Sequence, residues 1–364
     1  MISSGRRVIG WRLLPKAALV WAAVAAPLAS AAAAFPALDR PAIQVRSPER
    51  TVLLAVAPAG QRIVAVGERG GVTLSDDGGV TWRQARSVPV AVTLTAVQFI
   101  DAQRGWAVGH GGAVLKSDDG GETWRRLADG RSLAATALQD ARERARTAPA
   151  DAGAVAALAA AEALVADGPD KPLFDLHFAD ASHGWVVGAY NLFFETTDGG
   201  VTWRSLAGRL DNPGGRHLYS MAVQGDTIFI AGEQGTVFRS NDAGSSFKPL
   251  VTPYKGSWFK LVLLKDKGVI VAGLRGNAMF SANGDTWSRI EGAPPVTFVG
   301  GTTLPDGSAL LCNQAGQLLQ IREGNRLVPF AAPALTLPVG VTATSPQSLA
   351  VVGMTGATRI PIGR

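Results

Sequence analysis

Ser75-Asp76-Asp77-Gly78-Gly79-Val80-Thr81-Trp82 recurs as Ser117-Asp118-Asp119-Gly120-Gly121-Glu122-Thr123-Trp124 and as Thr196-Thr197-Asp198-Gly199-Gly200-Val201-Thr202-Trp203. A looser copy reads Ser240-Asn241-Asp242-Ala243-Gly244-Ser245-Ser246-Phe247, and one a residue shorter reads Ser281-Ala282-Asn283-Gly284-Asp285-Thr286-Trp287. Before each copy stands an apolar run ending in glycine: Val64-Ala65-Val66-Gly67, Ala107-Val108-Gly109, Val186-Val187-Gly188, Ile230-Ala231-Gly232 and Val271-Ala272-Gly273. The run returns without the Asp motif at Leu310-Leu311-Cys312-Asn313 and Val351-Val352-Gly353, which makes seven units. Their ends fall at 67, 109, 188, 232, 273, 313 and 353, steps of 40–44 apart from one of 79. Short apolar runs separated by Gly-rich turns, four to a unit at this period, predict an all-β chain: a seven-bladed β-propeller over residues 41–364.

The second unit parses as Leu94–Phe99, Gly105–Gly109, Ala113–Lys116 and Thr123–Leu127, strands a to d. The last unit has no fourth strand after Arg359-Ile360-Pro361. Residues 41–46 are expected to supply it and close the ring, because closure leaves no strand edge open.

The anomalous step holds an insertion, residues 128–172, between blades two and three. Ser132–Thr147 and Asp151–Ala166 are rich in Ala, Leu, Arg and Glu, and Ala148-Pro149-Ala150 parts them. This composition predicts a helical hairpin. It either lies on the propeller as a flap or stands out as a docking arm.

Residues 1–34 carry Arg6, Arg7, Arg12 and Lys16 and no acid, then an apolar run from Ala17 to Ala29 and small residues to Ala34. That order predicts a cleaved secretory signal peptide, with an uncleaved anchor as the alternative. The apolar run is short for the roughly 20 residues of a membrane span. A periplasmic location follows. Of the 364 residues, 35 are basic and 29 acidic. Loss of those four cations leaves 31 against 29, so the net charge of +6 falls to +2. The basic pI of 9.8 therefore gives no reason to expect nucleic acid. One Cys and four His exclude an internal disulfide and Cys-rich zinc modules, and no metal or cofactor is expected.

The S-x-D-x-G-x-T-W pattern resembles the Asp-box, or BNR repeat. Asp77, Asp119, Asp198 and Asp242 are read as turn-building acceptors for backbone N–H groups. Trp82, Trp124, Trp203 and Phe247 are read as wedges between blades. The carboxylates fall on different blades and are assigned no chemistry. If the c–d turns hold these motifs on one face, the b–c turns and d–a connections lie on the other. That second face offers the candidates for partner binding: Arg69, His110, Tyr190, Asn191, Glu233, Arg275 and Gln314.

Asp-boxes also occur in sialidases, whose sites need an arginine cluster, a Tyr activated by a Glu, and an acid/base Asp. Only Tyr190, Tyr219 and Tyr254 are available. Arg359-Ile360-Pro361 looks like the sialidase triplet but follows the Asp-boxes instead of preceding them. The chain more closely resembles the seven-bladed photosystem II assembly and stability factors of cyanobacteria and chloroplasts. The resemblance rests on Phe99-Ile100-Asp101-Ala102-Gln103-Arg104-Gly105-Trp106-Ala107-Val108-Gly109 and its repeat, Phe178-Ala179-Asp180-Ala181-Ser182-His183-Gly184-Trp185-Val186-Val187-Gly188. It implies a monomeric, non-catalytic scaffold that binds a membrane protein complex, with no catalytic residue and an unnamed client. The helical insertion and the absence of a Cys at the cleavage site depart from the photosynthetic members. A glycan-directed Asp-box hydrolase or lectin is the alternative.

Overall fold

Five of the seven second strands, among them Gly105–Gly109, Gly184–Gly188, Val269–Gly273 and Ala309–Asn313, are buried along their whole length, and Arg62–Gly67 and Thr227–Gly232 are buried after their first residue. Such runs are almost continuously apolar because both faces of the sheet are covered. In this computed structural model, which describes residue 1 and residues 35–265, 268–322 and 325–362, the cover on both faces is another sheet. The expected signal peptide lies outside the described residues, apart from Met1.

Seven antiparallel sheets follow in chain order, each a meander that starts from its inner strand a. Their inner strands are Leu53–Ala59, Leu94–Phe99, Leu173–Phe178, Leu218–Gln224, Trp258–Leu263, Phe298–Thr303 and Pro338–Ser345. Each inner strand packs against the next, and Pro338–Ser345 packs against Leu53–Ala59. The result is a closed seven-bladed propeller. Six sheets have four strands and the last has three: Pro338–Ser345, Ser348–Gly353 and Gly356–Pro361.

The expectation that residues 41–46 complete the seventh blade is corrected here. The Ala42 N–H donates to Val88 O (3.0 Å), Gln84 Nε2 to Ile43 O (2.8 Å) and Val45 N–H to Gln84 Oε1 (2.8 Å). The segment thus lies along the outer strand of blade one and the connection that follows it. Gln84 offers it both a donor and an acceptor there. Pro48 then begins a single 3-10 turn, Pro48–Arg50, whose Glu49 carbonyl covers Gly356 of blade seven. Closure rests on side-chain packing, with Leu53 and Ala65 of blade one against Val352 of blade seven and Trp82 at the seam.

The four Asp-box turns share one hydrogen-bond pattern. Ser75 Oγ donates to Asp77 Oδ1 (2.8 Å) and accepts from the Gly79 N–H (2.8 Å). The Thr81 N–H (2.9 Å) and hydroxyl (2.6 Å) both donate to Asp77. The same bonds join Ser117 to Asp119, Thr196 to Asp198 and Ser240 to Asp242. In blade five Asn283 takes the acceptor's place. The aromatic residue ending each turn packs toward the preceding blade: Trp124 against Val64 and Leu74, and Phe247 against Phe193 at 5.4 Å.

The insertion forms α1 (Gly130–Thr147) and α2 (Ala152–Asp167). Asp129 caps α1, accepting from the Arg131 and Ser132 N–H groups, and the Ser132 hydroxyl receives the Asp129 N–H in return. Leu133, Ala137 and Ala141 of α1 are buried with Leu173, Leu192 and Phe194 of blade three. Asp140 accepts the Ser205 N–H at 2.7 Å. So α1 lies on the propeller and α2 stacks over it.

Two outcomes follow. Trp124 is 5% exposed, so Trp124→Ala should cost about 3–5 kcal/mol in denaturant unfolding followed by circular dichroism. Asp118→Ala, on the surface of the same turn, should stay within about 0.5 kcal/mol. Asp77 and Asp242 are held at about 2, chiefly by the hydroxyls of Thr81 and Ser246. Their folded values lie below the unfolded ones, so this contribution is complete above about pH 4 and lost as pH falls through about 2. A flat unfolding midpoint across that window would contradict it.

Candidate functional site

The glycine that ends the second strand of every blade but the sixth, where Asn313 stands, is fixed by a close approach. A Cβ on Gly67 would stand 2.0 Å from the Val52 carbonyl, and one on Gly232 would stand 2.1 Å from that of His217. Pairing shifts at this point in all seven blades, leaving the second residue of each inner strand in a β-bulge. The bulged residues are Leu54, Thr95, Phe174, Tyr219, Phe259, Val299 and Val339. They form the rim of the central channel on the b–c face. A bulge re-aims a side chain, and here it does so in each blade.

The rim is uneven. Over blades three to five it is aromatic: Phe174 and Tyr219 centroids lie 5.4 Å apart, and Tyr219 and Phe259 lie 5.1 Å apart. His217 and Tyr190 extend this arc, with their rings 4.6 Å apart and nearly perpendicular. Lys171, just after α2, sits 5.5 Å over the Tyr190 ring. The insertion therefore ends beside the arc.

A polar network fixes these rings. The His217 N–H donates to Glu233 Oε2 (2.9 Å), and the Tyr219 hydroxyl donates to Glu233 Oε1 (3.2 Å). The Tyr190 N–H donates to His217 Nδ1 (3.0 Å), which assigns the ring proton of the neutral imidazole to Nε2. Asn191 accepts from Asn212 and donates to Ala207 O, tying the turn to the next connection. Arg216 Nε donates to Gln234 Oε1 (3.1 Å). Burial, and then the Glu233 carboxylate, push the Tyr219 phenol up to about 12.

Of the seven candidates read from the sequence, Tyr190, Asn191 and Glu233 meet in this network. Arg69, His110, Arg275 and Gln314 are exposed on the turns of blades one, two, five and six. Arg69, Tyr190 and Arg275 occupy the second position of their turns, with φ of 53°, 51° and 56°. Large side chains are uncommon there, and the strain marks this face as one to consider for function. Phe174, His217, Tyr219 and Phe259 escaped the sequence reading. Aligning the second residue of each inner strand across the repeat would have found all but His217.

One layer below the rim stand Ala55, Ala96, Asp175, Ser220, Lys260, Gly300 and Gly340. Asp175 accepts from Ser220 Oγ and the Met221 N–H, both at 3.0 Å. Ser220 Oγ in turn accepts the Leu261 N–H (3.2 Å). Among the described residues no group of three or more His, Cys, Asp or Glu could hold a metal ion. Nor is any described helix long and apolar enough to cross a membrane.

Comparison with known proteins places this geometry. The model of the family described as photosynthesis system II assembly factor YCF48 matches residues 163–287, from the end of α2 through the Asp-box turn of blade five. A photosystem II assembly lipoprotein Ycf48 of Synechococcus sp. (strain CC9902) is 34% identical over 76 residues, 21% of this chain and 23% of that protein. The chain thus spans about a quarter of that relative's length. A solved structure of YCF48 bound to D1 peptide superposes with a TM-score of 0.63 at 14% identity, covering 89% of this chain and all of the other. Virginiamycin B lyase from Staphylococcus aureus gives 0.67 at 8% identity over 89% and 99% of the two chains. Both structural likenesses show the propeller fold. In its matched segment the chain resembles the photosystem II assembly factors.

The Tyr219–Glu233 pair is open to test. Glu233→Gln removes the charge and keeps the burial. The Tyr219 transition, read by ultraviolet absorbance among only three tyrosines, should drop from about 12 yet stay above 10. An unmoved transition would show that Glu233 does not act on the phenol.

Proposed function

We propose that the chain is an exported, non-catalytic assembly or stability factor that holds a segment of a membrane protein complex at the aromatic mouth of its b–c face. One observation carries the reading. The segment similar to the photosystem II assembly factors, residues 163–287, holds Phe174, Tyr190, His217, Tyr219 and Phe259, the whole aromatic arc. A rim of half-buried rings beside an unsatisfied turn surface suits binding of an extended chain. Rings stack on side chains at little entropy cost, and small rearrangements of the partner can follow. The solved relative's D1 peptide makes a membrane-protein segment the natural class of ligand. Periplasmic export rests on the composition of residues 1–34.

A hydrolase reading meets a specific obstacle. The mouth does hold a Tyr–Glu pair, as a sialidase-like site would. A nucleophilic Tyr needs activation toward the phenolate, whereas burial and Glu233 drive Tyr219 the other way. The network also includes a single guanidinium, Arg216, already donating to Gln234. Arg69 and Arg275 stand on other blades.

Tagged protein from residue 35 onward, incubated with detergent-solubilised membranes of the host, should recover subunits of an integral membrane complex. Phe174→Ala with Phe259→Ala should cut that recovery about tenfold or more, because central aromatic anchors dominate such interfaces. Undiminished recovery by the double variant would move the site elsewhere. Glycoside turnover by the wild type would overturn the non-catalytic reading.

A further inference from the structure

Lys260 occupies the same register in blade five as Asp175 in blade three and Ser220 in blade four, one layer beneath the rim. Those two neighbours are fully engaged, Asp175 by Ser220, Met221 and Leu176, and Ser220 by Leu261. The half-buried Lys260 has no hydrogen bond or ion pair among the described residues. The other residues of the layer, Gly300, Gly340, Ala55 and Ala96, carry no polar side chain. Burial pushes the Cys312 thiol of blade six up to about 12, and the Lys260 ammonium is the leading influence in the opposite sense. The cation therefore acts toward blade six, where Gly300 is closely packed against the Val339 carbonyl and the Cys312 sulfur. A half-buried ammonium without a partner is free to pair with an incoming anion. Immediately above it stands Phe259, packed on Tyr219.

We propose that the channel mouth is a carboxylate seat, in which Lys260 takes the carboxylate of a peptide and the Phe174–Tyr219–Phe259 arc packs the aromatic or apolar side chain next to it. The inference rests on the scaffold reading and names the chemistry of its ligand. The carboxylate comes from an Asp or Glu side chain or from a chain end, and both present the same group to Lys260. Asp175 accepts from Ser220, Met221 and Leu176, and Glu233 from His217 and Tyr219, so Lys260 is the charged group of this arc left without a hydrogen-bond partner among the described residues.

Three probes separate the sources: acetyl-Asp-Phe-amide, acetyl-Ala-Phe with a free C-terminus, and the neutral acetyl-Ala-Phe-amide. Calorimetric titration at low salt should give at least tenfold tighter binding of one or both acidic probes than of the neutral one. Preference for the first assigns a side-chain carboxylate, and preference for the second assigns a chain end. Lys260→Met should erase the tenfold difference while keeping the thermal midpoint at or above the wild-type value, since it removes an unpartnered charge. Lys260→Arg should retain much of the preference. Phe259→Ala should weaken all three probes together. Equal wild-type binding of the three, or a preference that survives in Lys260→Met, would overturn the seat. Binding of a neutral cello-oligosaccharide with none of the peptides would do so too, in favour of a lectin. If the probes fail while membrane subunits are still recovered, the seat falls and the scaffold stands. If the probes bind through Lys260 and no subunit is recovered, the scaffold falls instead.

Discussion

The constraint on which the site depends is a close approach between backbones. Each second strand ends against the carbonyl that precedes its inner strand, near enough that a Cβ at Gly67 or Gly273 would come to about 2 Å. A glycine fits there. In blade six the position is filled by Asn313, whose side chain is wholly buried and accepts the Ala315 and Gln317 N–H groups. The crowding forces the pairing out of step by one residue, and that residue bulges. Repeated in all seven blades, it turns one side chain per blade onto the rim of the channel. The structural glycine and the functional rim are thus two results of one packing requirement, and the chain can vary the rim residue without disturbing the ladder beneath it.

Much of the fold was legible because its signals are repeated. The Asp-box turns, the apolar runs ending in glycine and the Ala-rich insertion each state a local preference that the propeller also needs. Agreement between levels is what lets a sequence specify one structure. The failure was at the N-terminus, where a single short segment had no second copy to compare. Residues 41–46 follow the side chain of Gln84, a contact no periodicity announces. The three-stranded seventh blade is sealed by Leu53, Val352 and Trp82 instead of by hydrogen bonds.

The site was less legible for a different reason. Turn residues such as Tyr190 and Glu233 stand out because glycine-rich turns frame them. Phe174, Tyr219 and Phe259 lie inside strands, where an aromatic residue reads as core. The bulge turns them outward, and a bulge in pairing has no simple composition. His217 is harder still, since its importance comes from the Tyr190 N–H and the Glu233 carboxylate on neighbouring turns.

The two faces of the ring differ in how far their polar groups are satisfied. On the Asp-box face the carboxylates of Asp77, Asp119, Asp198 and Asp242 are each closed by hydroxyl and backbone donors. Arg62, Asp76, Arg83 and Glu122 add an ion network across blades one and two. Groups so fully engaged have little left to offer a ligand. The b–c face keeps strained turns at Arg69, Tyr190 and Arg275, half-buried rings and the Lys260 ammonium, which has no partner among the described residues. Its own hydrogen bonds, those of Glu233, Asn191 and Asn212, serve to hold the rings in position and leave the rings themselves uncovered. A ring of blades made rigid on one face can afford an incomplete surface on the other. Binding needs that incompleteness, because only groups left unsatisfied in the free protein gain from a partner's arrival.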